Sequence, residues 1–443
     1  MNLPPNAVIP FPSAAEVARP SRPSPAASSP SWGAPRPDPR NRQRPVRVLT
    51  YSHDSYGLGH LRRSITLASA LVQRSPQVHV LCLTGSPVPD LFDLPERCEL
   101  VKIPAIGKGE NGQYISRRLP ISFGEIASLR SDLISATVRA FRPDLLLVDH
   151  TATGPGDELL PVLRRVCHES FNTRIVLGLR DVLDSRERSR EELRVKGTFA
   201  AIRASYDDVF IYGQREVFDT VEEYDFPDDI AQKTLFVGPV VPRSARRSGA
   251  RRPHGGIPHV VVTAGGGEDG YPLLRGVVAA LRGPLRREAV SVTVVAGPMM
   301  PEPSSSALRR AVQGDPRITL LRSCSQMQAL LDTADLVVGM GGYNTVYETL
   351  ARGVALLVLP RRRPRAEQWE RACRLQASGH LGVLGEDQVG DAHRVGDALR
   401  RMLREPPQPS FALRFDGAEV AARLCLGHPA SGVGLGAATA AAV

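Results

Sequence analysis

Short apolar, β-rich runs alternate with helical patterns along most of the chain, and this alternation constrains the fold more than any other feature. In the first half the runs are VRVLTY (46–51), VHVLCLT (78–84), LLLVD (145–149), RIVLGL (174–179), DVFIY (208–212) and LFVG (235–238). Between them, residues 61–72 and 125–141 have helical periodicity, the latter placing Ile126, Leu129, Leu133, Ile134, Val138 and Phe141 on one face. Strands connected through helices run in the same direction, so the pattern predicts a parallel sheet. Residues 241–257, VPRSARRSGARRPHGGI, interrupt it with Pro, Ser, Gly and Arg and mark a boundary. Alternation resumes with runs at 259–264, 290–297, 317–321, 335–340 and 354–360. The expected organisation is a first α/β domain over 45–240, a linker over 241–257 and a second over 258–428. Residues 1–44, rich in Pro, Ser, Ala and Arg without periodicity, are expected to be a disordered tail, and 429–443 a flexible one.

A length of 443 residues suits two domains with tails. Hydrophobic content of 42% and charged content of 23% are those of a soluble globular protein, and no apolar run approaches the roughly 18 residues that would suggest a membrane span. The formal net charge of +10 would favour acidic partners, but lysine occurs only at Lys102, Lys108, Lys196 and Lys233, so the excess is arginine and reads as a compositional bias. Aromatics make up 5% of the chain and do not interleave with the basic clusters, so no nucleic-acid partner is expected. The six cysteines lie far apart in sequence without a CxxC pair, which predicts neither a disulfide framework nor a zinc site and favours a reducing cytoplasm. The N-terminus has neither the basic start nor the apolar core of a signal peptide.

Two glycine-rich turns carry the chemistry. Gly341-Gly342 follow the run at 335–340 and precede a helix expected to begin near Asn344, an arrangement that lets backbone N–H groups meet an anion. One turn into that helix, Glu348 is placed to accept hydrogen bonds from a sugar diol. Gly265-Gly266-Gly267 close the run at 259–264 ahead of a second helix. A lone glycine pair is weak evidence, but two such turns in one α/β domain point to a nucleoside diphosphate.

With these motifs in place, the chain resembles the family 28 glycosyltransferases, most strongly over 258–385 and more weakly over 46–72, and is most similar to a bacterial subgroup of predicted glycosyltransferases. The resemblance implies a GT-B fold, two doubly wound Rossmann-like domains facing a cleft, with a UDP-sugar donor, UDP-N-acetylglucosamine among the candidates, held by the second domain. It places Gly265, Gly266 and Gly267 at the diphosphate and Gly341, Gly342, Asn344 and Thr345 at a second phosphate-facing turn, where the family's Ser-Gly-Ala has become Gly-Gly-Tyr. It assigns Glu348 to the ribose and Gln368 to the donor sugar. Cys324 falls where a backbone group reads the uracil edge, its thiol being expected to be buried as a small apolar side chain. On the acceptor side, Gly57, Gly59 and His60 resemble the family's glycine-rich loop.

An inverting transfer needs a base for the acceptor hydroxyl, and His60 is the first candidate, with helix capping or binding of an acceptor phosphate as the alternatives. His53, Asp54, Asp149, His150 and Asp181 also end strands near the expected cleft, and Asp149 or Asp181 could take the role instead. Leaving-group stabilisation is expected from backbone N–H groups and helix N-termini; no Asp-X-Asp motif occurs, so neither metal nor cofactor is expected. Arg361, Arg362, Arg363 and Arg365 either assist the diphosphate, grip an acidic acceptor or form a solvated loop. The acceptor itself is unspecified beyond a hydroxyl, with lipid-linked and anionic molecules included and peripheral contact with the inner membrane face as a secondary expectation. Two other readings keep the fold: a UDP-sugar 2-epimerase and a non-catalytic nucleotide-sugar-binding protein.

Overall fold

The computed structural model describes residues 44–54, 59–109, 113–168, 172–245 and 256–427. Gly57, most of the 241–257 linker and nearly all of both expected tails lie outside these residues.

The first domain is built on a seven-stranded parallel sheet. Its strands are β1 (Val46–Ser52), β2 (Val78–Thr84), β3 (Cys98–Lys102), β4 (Leu145–Asp149), β5 (Arg174–Arg180), β6 (Asp208–Tyr212) and β7 (Thr234–Phe236), in the spatial order 3-2-1-4-5-6-7. The second sheet has six parallel strands, β8 (His259–Thr263), β9 (Ser291–Val295), β10 (Ile318–Leu321), β11 (Leu336–Gly339), β12 (Ala355–Val358) and β13 (Gly382–Val383), in the order 10-9-8-11-12-13. In each sheet the order reverses beside the first strand, between β1 and β4 and between β8 and β11, and a crevice opens there at the carboxyl ends of the strands.

Helices on both faces explain the strand sequences. Every residue of β4, β6 and β8 is buried, so these strands appear as continuous apolar runs rather than alternating ones. Each buried valine or leucine contributes about 1.5–3 kcal/mol relative to exposure. Helix α1 (Gly59–Arg74) follows β1 directly, and α2 (Phe123–Phe141) starts at a capping box in which Ser122 Oγ accepts from Glu125 N–H and Glu125 accepts from Ser122 N–H. In the second domain, α3 (Tyr343–Leu350) follows β11 and α4 (Glu367–Ala377) follows β12.

Strand β3, a hairpin of Ile106–Lys108 with Tyr114–Ser116, and the two-residue β13 were not legible in the sequence. The last helix, α5 (Gly417–Cys425), returns to the first domain. It packs on α1, its Gly417 sits against the Gly238 carbonyl, and Arg174 of β5 donates to the Leu424 carbonyl at 2.6 Å. The polypeptide expected to close the second domain therefore also covers the first. The two domains share hydrophobic contacts as well: Val346, Leu356 and Leu375 of the second lie in one buried cluster with Leu179 and Tyr224 of the first.

Candidate active site in the interdomain cleft

A cleft of about 960 Å³ lies between the two sets of strand ends, within the size range of small-molecule binding sites. Its second-domain wall contains Gly265–Gly267, Cys324, Gly342, Asn344, Thr345, Glu348 and Gln368, and its first-domain wall Gly59 and His60. Residues 205 or more positions apart in sequence, His60 and Gly265 being the nearest pair, thus face one space.

Backbone geometry makes the second-domain wall receptive to an anion. Gly267 has φ +97°, and a Cβ there would lie 2.6 Å from the Ala296 carbonyl oxygen, so only glycine fits. Gly341 has φ +78° and makes the turn while Gly342 lines the cleft. Gly342 is the N-cap of α3 without any side-chain cap, which leaves the first N–H groups of the helix to a ligand. The helix begins at Tyr343, one residue before the expected Asn344. Tyr343, where the family pattern has a small residue, is a joint between domains: its O–H donates to the Tyr212 carbonyl at 2.8 Å and accepts from Val240 N–H at 2.8 Å.

Polar side chains tune the same wall. Glu348 is 3% exposed and accepts from Gln328 Nε2 at 2.6 Å and from Arg62 Nη2, on α1 of the first domain, at 2.5 Å. Gln368 Oε1 accepts from Arg361 N–H at 3.1 Å, which fixes its amide. Asn344 Nδ2 donates to the Gly59 carbonyl at 3.4 Å. Cys324 is only partly buried and lines the cleft, so its thiol is not the buried small side chain that was expected.

On the first-domain wall, β4 ends at Asp149. Arg63 clamps it with Nε on Oδ1 and Nη2 on Oδ2, each at 2.8 Å, and His60 Nδ1 lies 2.5 Å from Oδ2. Burial alone would raise the Asp149 pKa, but the Arg63 charge and His60 overcome it and hold the carboxyl well below its usual range. An anionic Asp149 favours the tautomer in which Nδ1 carries the proton, leaving Nε2 as a free base. The capping alternative for His60 is removed by Asp54, whose Oδ1 accepts from Leu61 N–H at 2.9 Å and whose Oδ2 accepts from Ser52 and Thr84. His53 and His150 join His60 in a three-ring cluster with centroids 4.6 to 6.0 Å apart. Burial pushes both below the ordinary histidine pKa, helped by His60 at His53 and by Arg180 at His150.

Asp181 is not placed as an acceptor-side group. It is fully buried and held by Arg371 of α4 through two hydrogen bonds of 2.8 and 2.7 Å, and it accepts from Tyr347 O–H at 2.6 Å. With three hydrogen bonds accepted and no exposed surface, this carboxylate does not reach the cleft. Asp149 is similarly clamped by Arg63, and of the residues expected on the acceptor side His60 is the titratable one that lines the cleft. Of the arginine cluster, only Arg361 lines the cleft, bonded to Asp269 and Glu367; Arg362 stacks on Trp369, and Arg365 pairs with Asp184 and Glu192 of the first domain. Arg62, Arg63, Arg371 and Tyr347 were missed by sequence reasoning because they sit mid-helix among many arginines and nothing local shows which carboxylate each meets. Cys82 and Cys98, distant in sequence, bring their thiols to 3.7 Å on neighbouring strands without a disulfide.

Two doubly wound domains meeting across such a cleft define the GT-B architecture. Residues 260–413 match the model of the glycosyltransferase family 28 C-terminal domain. No curated protein is matched in sequence. Similar solved structures include the glycosyltransferase of kitacinnamycin (17% identity, 87% of this chain and 95% of that one, TM-score 0.54). MurG of Acinetobacter baumannii is similar at 13% identity over 86% of this chain and 99% of that one, with a TM-score of 0.52. The UDP-GlcNAc 2-epimerase of Methanocaldococcus jannaschii is similar at 12% identity over 86% and 98%, with a TM-score of 0.54. Among the described residues no helix is long and apolar enough to cross a membrane.

Proposed function

We propose that this protein transfers a sugar from a UDP-sugar to a hydroxyl-bearing acceptor, with inversion at the anomeric carbon and without a metal. One observation carries the reading: the His60–Asp149 pair on one wall faces two glycine turns, Glu348 and Gln368 on the other. The diphosphate lies against the glycine loop and the open N-terminus of α3, the ribose hydroxyls donate to Glu348, and Gln368 meets the sugar. His60 Nε2 takes the acceptor proton as its oxygen attacks the anomeric carbon from the face opposite the departing diphosphate. Asp149 stabilises the imidazolium that forms, and the N–H groups at Gly342 and the glycine loop meet the charge that develops on the diphosphate.

MurG and UDP-GlcNAc 2-epimerases share this fold at comparable TM-scores, so architecture does not choose between transfer and epimerisation. The deciding experiment presents UDP-, GDP- and dTDP-sugars without added metal and follows thermal stabilisation together with release of nucleotide and any change in the sugar. Selective stabilisation by UDP-sugars that Glu348→Ala abolishes supports the donor site. Acceptor-independent conversion of the sugar would replace transfer by epimerisation, and no response to any nucleotide sugar would overturn both.

A further inference from the structure

Nearly every charge at the cleft has a partner. Arg63 is bound to Asp149, Arg371 to Asp181, Arg361 to Asp269 and Glu367, and Arg62 to Glu348. Arg180, the last residue of β5, is different. It lines the cleft, makes no hydrogen bond or ion pair with any described residue, and its Nε is fully buried without a partner. Burial opposes its charge, and Arg63 and Arg371 add to that opposition, while Glu367 and Asp181 relieve part of it. Glu367 is the nearest opposite charge but does not bond it: its Oε1 is taken by Arg361, and its Oε2 makes no hydrogen bond. Native proteins rarely leave a buried guanidinium N–H without an acceptor, and the exceptions concentrate where a ligand completes the site.

We propose that Arg180 receives an oxyanion of the acceptor, a phosphoryl or carboxylate group, so that the molecule receiving the sugar is acidic. This rests on the transferase reading above and specifies its second substrate. The donor's diphosphate has its receptors on the opposite wall, at Gly265–Gly267 and the N-terminus of α3. Arg180 belongs to the first domain and to the same set of strand ends as Asp149 and the histidine cluster, so the anion it meets arrives with the molecule whose hydroxyl His60 deprotonates. The guanidinium fork suits phosphate and carboxylate oxygens, held two at a time.

The test uses the full chain saturated with UDP and titrated calorimetrically, at constant ionic strength, with inorganic phosphate and with glycerol 3-phosphate, glycerol serving as the neutral control. Both anions are expected to bind the wild type and to bind Arg180→Gln at least about tenfold more weakly, while the UDP affinity stays within about twofold. Arg180→Met, which removes an unpaired charge rather than a contact, is expected to melt no lower than the wild type. The proposal is overturned if neither anion binds the wild type, if they bind Arg180→Gln equally well, or if Arg180→Met lowers the melting temperature, which would make the arginine structural. A tenfold loss of UDP affinity in Arg180→Gln overturns it too, by assigning the arginine to the donor's diphosphate. If UDP does not bind the wild type at all, the donor reading fails, and the same titrations without UDP still decide whether Arg180 holds an anion.

Discussion

Arg62 of the first domain and Glu348 of the second form an ion pair across the cleft, with Nη2 and Oε2 2.5 Å apart. Glu348, the carboxylate we assign to the ribose, therefore has its Oε2 held by a residue of the opposite wall, with Gln328 Nε2 on the same oxygen. A ribose hydroxyl that bonds Oε2 would displace the contact between domains, whereas one that bonds Oε1 would leave it in place.

Arg62→Ala should therefore act in two directions. It leaves buried Glu348 with Gln328 as its remaining side-chain donor, and the ligand-free protein is expected to lose about 1–3 kcal/mol of stability. The increase in melting temperature on adding UDP should grow, because ribose hydroxyls no longer displace a cation. Melting curves of wild type and variant with and without UDP measure both effects; an unchanged UDP response would show that the ribose does not displace Arg62 from Oε2.

The Asp181–Arg371 pair is fully buried between the domains. Removing one partner strands a charge, so Asp181→Ala is expected to cost about 3–5 kcal/mol in chemical denaturation. The double variant Asp181→Leu/Arg371→Met should recover much of that loss. A double variant as unstable as the sum of its parts would mean that the two residues act independently.

His60→Ala is expected to lower turnover by about 10²–10⁴-fold while leaving UDP affinity unchanged, since the ring faces the acceptor side of the cleft. Asp149→Asn should also lower turnover strongly, because an amide no longer demands the tautomer that frees Nε2. Steady-state kinetics alongside UDP titration separates these effects from a loss of donor binding.

Stability should fall as the solution is acidified below neutrality. His53 and His150 have folded pKa values depressed by burial, so between those values and the unfolded value of about 6.5 the unfolded chain binds more protons than the folded one. Their contribution is complete above that unfolded value and is lost as pH falls toward the folded ones, at up to about 1.4 kcal/mol per pH unit for each ring. Melting temperatures from pH 7.5 to 5.5 measure the slope, and His53→Asn should flatten it.

The alternation of apolar runs with helical periods specified two parallel α/β domains because burial on both faces leaves a signature in each strand: Leu145–Val148 and Val260–Val262 are apolar without a break. The glycine turns were equally legible, since positive φ and close backbone approach restrict residue type locally at Gly267 and Gly341. Short-range sequence could not report which charges meet. Asp149 and Asp181 each end a segment near the cleft and look alike in sequence, yet both are clamped by arginines, one within its own domain and one across the interface. Arg62, Arg63, Arg180 and Arg371 are four among many arginines until the fold aligns them, one with Glu348 across the cleft, two with buried aspartates and one with no partner among the described residues. Pairing between charges depends on distances between residues tens to hundreds of positions apart, and those distances exist only once the two sheets have docked.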